Sequence, residues 1–320
     1  MLDALPRAAF TALASSSLLK RLASRYGMRH PDSFARRFIA GESVYEAIAA
    51  ARVLEADGYL VTLDLLGESV SSTETAADAT ETYIAIIQDI GRADIGRNLS
   101  VKLTQLGLEV DVATAIDNLR RLLDAAGALG FFVRIDMEGS AHTEATMAAF
   151  ETVWNIGYRH VGVVIQSYLR RSREDVERLN SLGAPVRLVK GAYREPRALA
   201  FQRKADVDAV FVSLMETLIA AGTSPAIATH DPAMIQATKA FAAGFGAAPE
   251  AFEFQMLYGV RRDLQASLVA EGYRVRVYVP FGVEWFPYFM RRLGERPANL
   301  TFVVKSLLRE RTERMNESHG

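Results

Sequence analysis

The chain has 320 residues, half of them apolar and 23% charged, with 37 basic against 38 acidic side chains. A near-neutral balance argues against a nucleic-acid partner held by charge, and the lack of any cysteine excludes disulfides, thiolate metal sites and cysteine nucleophiles. No apolar run reaches the ~18 residues that a spanning helix needs.

Residues 1–57 carry helical pattern only. The stretch from Ala8 to Leu19 has the length of a signal-peptide core, but Asp3 stands where positive charge belongs and helical spacing continues to Leu22 and Tyr26. The segment reads as an amphipathic helical arm. Its apolar stripe suits packing on the next domain, pairing with a second copy of the chain, or contact with a membrane surface.

Eight apolar, β-branched or aromatic runs follow: "YLVTLDLL" (59–66), "LSVKLTQL" (99–106), "FFVRIDM" (131–137), "HVGVVIQ" (160–166), "PVRLVKG" (185–191), "PAIATHD" (225–231), "FEFQMLYG" (252–259) and "YRVRVYVP" (273–280). Helical patterns lie between them, as in "DVATAIDNLRRLLDAAGALG", where Ala113, Ile116, Leu119 or Arg120 and Leu123 recur every three or four residues. Strand alternating with helix eight times predicts a (β/α)8 TIM-type barrel over 58–300, distorted and preceded by the arm, with a helical tail over 301–320. An open doubly wound sheet is the alternative, but no strand is followed by G-x-G-x-x-G.

A barrel gathers its chemistry at the C-terminal ends of its strands. The polar residues there are Glu68, Lys102, Asp136, Gln166, Lys190, Thr229 with His230, Gln255 and Tyr278. Lys102 interrupts an apolar strand, and a buried lysine needs an anion, a carboxylate partner or a carbonyl substrate. Asp136 ends the next strand in the same way; it reads either as a partner of Arg134 or as a functional carboxylate at the barrel mouth, and its place favours the second. His230 reads equally as a loop residue before a helix started by Asp231 and Pro232. In "VKGAY" (189–193), Gly191 would let backbone approach a ligand closely.

The segment "YVPFGVEWFPYFMRRLGERPANL" (278–300) places Tyr288, Arg292 and Glu295 on one helical face with Arg291 beside them. The plain reading is an exposed helix with an Arg291–Glu295 ion pair, worth a few tenths of a kcal/mol. The functional reading is a guanidinium clamp on a carboxylate, walled by the tyrosines. That describes a pocket for a small, partly apolar carboxylic acid.

"FIAGES", "LDLLGESV", "VKLTQLG", "RIDME", "VIQSYLRR", "VRLVKGAY", "ATHD", "FEFQMLYG", "VRVYVPFG" and "PYFMRRLGERPAN" occur in this order. Together they resemble the proline dehydrogenase family of flavin enzymes from about Phe38 to Asn299. The length and the "GAYREP" form are similar to the short monofunctional bacterial members. The resemblance implies FAD, with FMN as the lesser option, L-proline as substrate and a quinone as electron acceptor. It also implies a cytoplasmic protein in peripheral contact with the inner face of the cell membrane. Lys102, Asp136 and Arg187 would act in the chemistry. Lys102, Tyr278, Tyr288, Arg291, Arg292, Glu295, Leu257 and Glu68 would form the substrate pocket, with the arginine pair on the carboxylate. Met137, Gln166, Arg187, Lys190, Gly191, Ala192, Tyr193, Thr229, His230 and Glu253 would contact the cofactor, and no metal is implied. Arg194 stands where the long bifunctional members carry Trp. From the residues alone, a Schiff-base aldolase using Lys102 or Lys190, a non-catalytic amino-acid-binding barrel and a methylenetetrahydrofolate reductase remain alternatives.

Overall fold

The computed structural model describes Met28, residues 33–67 and residues 69–295; the side chains of 34 and 293–295 lie outside that description. Most of the N-terminal arm, Glu68, the Glu295 side chain and the C-terminal tail are therefore outside the described residues.

All eight expected strands form. They are β1 (Leu60–Leu65), β2 (Asn98–Val101), β3 (Phe132–Ile135), β4 (Val161–Gln166), β5 (Pro185–Val189), β6 (Thr223–Ala228), β7 (Glu253–Leu257) and β8 (Arg274–Phe281). They close in chain order into one parallel barrel, with β8 paired to β1. The register slips only between β5 and β6, where Ser224 has φ +46°. Helix α1 (Val44–Ala56) precedes β1. Helices α2 (Thr73–Arg92), α3 (Val112–Ala128), α4 (Ser140–Asn155), α5 (Ser172–Ser181), α6 (Lys204–Ala221), α7 (Pro232–Phe245) and α8 (Arg262–Ala270) follow β1 to β7, and α9 (Trp285–Glu295) follows β8. The fold is a (β/α)8 barrel.

Two differences from the sequence reading have local causes. The second strand stops at Val101 rather than Leu106. The chain turns there, with Gln105 N donating to Lys102 O at 3.2 Å and Leu108 N to Leu103 O at 2.9 Å. Lys102 thereby leaves the sheet at the barrel mouth. On α3, Leu119 and Leu123 are buried as expected, but Ala113 is exposed and Ile116 only half-buried. The inward stripe instead runs through Ala115, Leu119, Leu122 and Ala126.

The strands sort their side chains by face. Val61, Leu63, Leu99, Val101, Val133, Ile135, Val163, Leu188, Val275 and Val277 belong to the apolar layer beneath the helices. The opposite set, carried by registers such as Asp64↔Ser100, Ser100↔Arg134 and Arg134↔Gly162, is largely polar. Low in the barrel, Arg276 donates to Glu253 at 2.8 and 3.1 Å and to Val61 O at 2.7 Å. Arg134 donates to Pro185 O at 2.8 Å and to Val163 O at 3.2 Å. Glycine is required at Gly162, because a Cβ there would stand 2.6 Å from the backbone oxygen of Pro185 and 2.5 Å from Arg134 Nη1.

Helix α1, read from sequence as the end of the arm, packs on β1 and β8. Its start is fixed by Ser43 and Glu46, which cap each other's backbone N–H groups. Helix α9 belongs to a second apolar cluster, with Phe38, Ile39, Leu66, Trp285, Phe286, Tyr288 and Phe289. Ala40 N donates to Pro280 O at 2.9 Å, and Trp285 Nε1 to Glu42 at 2.9 Å. These contacts seat α9 beside the mouth and bring Arg292 to the cavity.

Candidate active site

A cavity of about 580 Å³ opens at the C-terminal ends of the strands. Among the residues expected from sequence, it is lined by Lys102, Asp136, Met137, Gln166, Arg187, Lys190, Gly191, Ala192, Thr229, His230, Leu257, Tyr278 and Arg292. These positions come from the ends of β2 through β8, which barrel closure brings together, and from α9, which its own apolar cluster seats beside them.

Asp136 is the hub of the floor. Arg187 Nη1 donates to its Oδ1 at 2.7 Å and the Tyr278 hydroxyl to its Oδ2 at 2.6 Å. Arg187 also donates to Ser100 Oγ at 3.2 Å. Burial, with Asp136 and Asp64 nearby, pushes the Tyr278 phenol well above its usual range. Lys102 donates to Asp64 Oδ1 at 3.1 Å. Lys190 pairs with Asp208 and, at 2.8 Å, with Asp231. The Asp231 side chain also caps α7, accepting from Ala233 N at 3.0 Å. His230 Nε2 accepts from Leu257 N at 2.8 Å, so this nitrogen carries no proton and the ring ties the β6 loop to the end of β7.

On α9 the Arg292 guanidinium lies 5.3 Å from the centre of the Tyr288 ring. Arg292 lines the cavity; Arg291 is half-buried and does not. Tyr288 is buried in the α9 cluster, and Tyr193 is exposed on the β5 loop. Glu68 and the Glu295 side chain are outside the described residues. Glu253 lies elsewhere: it opens β7 at the opposite end of the barrel, paired with Arg276.

Several site residues went unread in the sequence. Asp64 is 1% exposed on β1. Period-two alternation in "LVTLDL" was the signal, since Thr62 and Asp64 interleave with Val61, Leu63 and Leu65. Glu138 lines the cavity and accepts from Thr104 N at 3.2 Å and Thr104 Oγ1 at 2.6 Å. Burial raises its carboxyl despite Thr104. Asp208, from α6, has no sequence signal that distinguishes it from a surface charge.

The proline dehydrogenase family model matches residues 47–305. The chain belongs to the proline dehydrogenase family. It is 40% identical to proline dehydrogenase 2 of Bacillus subtilis strain 168 over 301 residues, covering 94% of this chain and 98% of that one. It is 41% identical to the proline dehydrogenase of Deinococcus radiodurans over 313 residues, covering 97% and 100%. The structure of proline utilization A from Bdellovibrio bacteriovorus, inactivated by N-propargylglycine, superposes with a TM-score of 0.76 at 29% identity. That match covers 81% of this chain and 32% of the longer protein. Over nearly its whole length the chain is similar to the short bacterial proline dehydrogenases, and proline dehydrogenase activity is the function its family supports. The aldolase, binding-protein and folate-reductase readings are set aside.

This family is flavin-dependent, and the cavity suits such a group. Gln166 Oε1 and Arg187 Nε are buried without a hydrogen-bond partner. Both residues line the cavity, where a polar heterocycle could meet those groups. Lys190 supplies a cation at the rim, and Gly191 holds φ +108°, with backbone close to the Tyr168 ring.

Proposed function

We propose that this protein oxidises L-proline to Δ1-pyrroline-5-carboxylate, with FAD as hydride acceptor and a quinone as final electron acceptor. The observation that carries the reading is the convergence on one cavity of Arg292, Tyr278, Lys102 and Leu257 with Gln166, Arg187, Lys190 and Thr229. The first group suits a small cyclic amino acid. The second suits a flavin and its phosphates.

Arg292, with Arg291 beside it on α9, binds the proline carboxylate through charged hydrogen bonds. Leu257 and the Tyr278 ring face the apolar carbons of the substrate. Gln166, Arg187, Lys190, Gly191, Ala192, Thr229 and His230 hold the cofactor, and Met137 packs beside it. The bound flavin supplies the two-electron redox chemistry. Asp136 fixes Arg187 and Tyr278 in place before substrate arrives, so that little reorganisation is needed in the reaction. Lys102 lends positive charge to the site. Glu68 and Glu295 are proposed to border the substrate, as the family likeness implies. Transfer to a quinone calls for contact with a membrane face, and none of the described helices is long and apolar enough to cross one.

Anaerobic titration of the purified protein with L-proline tests the reading. The visible flavin band should bleach, and a quinone analogue should restore it. Heat-released cofactor should chromatograph as FAD. A flavin band indifferent to proline would overturn the substrate assignment, and release of FMN the cofactor assignment.

A further inference from the structure

Before α1 begins, the chain from Arg37 to Glu42 crosses the ends of β7 and β8. A Cβ on Gly259, just past β7, would stand 1.7 Å from Arg37 O. Ala40 N donates to Pro280 O at 2.9 Å, and Gly282 N donates to Gly41 O at 3.0 Å. Glu46 of α1 fixes the end of this crossing. Its carboxylate accepts from Glu42 N at 2.9 Å and from Ser43 N at 3.1 Å, and pairs with Arg36 at 2.6 Å. The Glu42 carboxylate reaches α9, where its Oε1 accepts from Nε1 of the fully buried Trp285 at 2.9 Å. Trp285 opens α9, and Arg292, which lines the cavity, lies two turns further along the same helix face.

We propose that Glu42 is a positioning residue for substrate binding: through Trp285 it sets the rotation of α9 about its own axis, and with it the aim of Arg292 into the cavity. The role rests on the reading of Arg292 as the carboxylate clamp. The placement of α9 by Glu42 does not depend on that reading.

Apolar packing holds α9 against the barrel without fixing its rotation. Trp285, Phe286, Tyr288, Phe289 and Met290 are all buried in one cluster, so apolar side chains take up more than half of the helix circumference. Burial of apolar area has no direction, and one ring can exchange places with another as the helix turns. A hydrogen bond does have direction, and it weakens steeply once its angle is lost. The buried indole N–H needs an acceptor. Glu42, with its backbone held by Glu46, offers one at a fixed point outside α9. Because Trp285 and Arg292 share a face, a rotation that breaks the hydrogen bond at one end swings the guanidinium off the cavity at the other. A long arginine side chain binds well only where its stem is already held, since ordering it on binding costs affinity.

The test compares Glu42→Ala holoprotein with the wild type by two readouts. Hydrogen exchange followed by peptide mass spectrometry reads α9 with no substrate present. Peptides covering 286–292 should exchange at least about tenfold faster in the variant, while those of α3 and α4 stay as in the wild type. Kinetics read the clamp. The KM for proline should rise about tenfold, equivalent to roughly 1.4 kcal/mol, which is in the range of a hydrogen bond to a charged group. The kcat should change little and bound flavin should persist, the pattern of lost binding. Glu42→Gln, whose side-chain carbonyl still accepts from the indole, restores both readings. Adding Glu42→Ala to Arg292→Met should raise KM no further, because both changes act on one contact. A wild-type KM in folded Glu42→Ala overturns the role, and so does a double variant whose KM rise is the product of the two single rises. If Glu42→Ala does not fold, Trp285→Phe, which keeps a ring in the cluster and removes the same N–H, is judged by the same outcomes. Proline left unoxidised by the wild type removes the substrate reading, whereas unchanged α9 exchange in Glu42→Ala overturns the proposal, so the two failures are distinguishable.

Discussion

The buried Arg187 and the half-buried Asp136 form an ion pair across the barrel, 2.7 Å from Nη1 to Oδ1, and the Arg187 guanidinium lies 5.4 Å from the centre of the Tyr278 ring. Tyr278 closes the triangle through its 2.6 Å hydrogen bond to Asp136. One carboxylate thereby joins residues of β3, β5 and β8 at the cavity floor. Asp136→Ala leaves Arg187 as a buried charge without its partner, which costs about 3 kcal/mol of stability. Asp136→Asn, which keeps an acceptor for Tyr278, should cost less. Urea midpoints check both, and an unchanged midpoint in Asp136→Ala would show that water replaces the carboxylate.

The arginine clamp gives a kinetic prediction. Arg292→Met should raise KM for proline by about 30-fold, the equivalent of roughly 2 kcal/mol for a lost charged hydrogen bond. Arg291→Met should have a smaller effect, because Arg291 does not line the cavity. Bound flavin should persist in both. A wild-type KM in both variants would remove α9 from the substrate site.

Asp231 carries a pH signature. The Lys190 ammonium, against opposition from burial, holds its carboxyl down to about 2. A carboxyl whose folded pKa lies below its unfolded value of about 3.9 stabilises the fold above that value, and the contribution vanishes as pH falls through the folded pKa. Melting temperature should therefore fall between about pH 4 and pH 2 partly through this group. Asp231→Asn keeps a good cap for α7 but has no charge. Its melting temperature should be lower at neutral pH and should fall less steeply in acid. An acid slope identical to wild type would show that the Lys190 pair is screened by water.

The barrel was legible because it is written locally. Strand runs, helical stripes and caps each speak within a dozen residues, and eight of them in order leave few closures. The site was legible where a polar residue ended an apolar run, as at Lys102, Asp136, Gln166 and Lys190. Asp64 was missed because it lies mid-strand, where only face parity marks it. Glu253 was placed by likeness to a motif rather than by its position along β7. It shares a face with Gln255 but stands two residues lower, among the arginines of the barrel base. The seat of α9 depends on Phe38 and on the Trp285–Glu42 hydrogen bond, contacts between distant parts of the chain that no local pattern announces.

Gly191 joins the β5 loop to the cofactor side of the cavity. Its φ is +108°, and a Cβ would stand 2.4 Å from Tyr168 Cδ1. The Tyr168 ring is not free to swing aside. It is buried, its N donates to Lys190 O at 3.0 Å, and its hydroxyl donates to Glu195 Oε1 at 3.4 Å. Glu195 is itself anchored by Ser140 N at 2.8 Å, at the start of α4. Gly191→Ala must therefore displace the loop instead of the ring. Left-handed backbone costs about 1 kcal/mol for alanine, and overpacking adds about 1 to 3 kcal/mol. Lys190 and Ala192 flank the substitution and line the cavity, so the displacement moves the residues proposed to hold the flavin. The variant should fold, melt at a lower temperature and purify with less bound flavin. Tyr168→Ala in the same background removes the clash and should recover part of the flavin content, although it creates a cavity of its own. Full flavin occupancy in Gly191→Ala would separate this loop from cofactor binding, because a backbone shift there could not leave a contact through Lys190 and Ala192 intact.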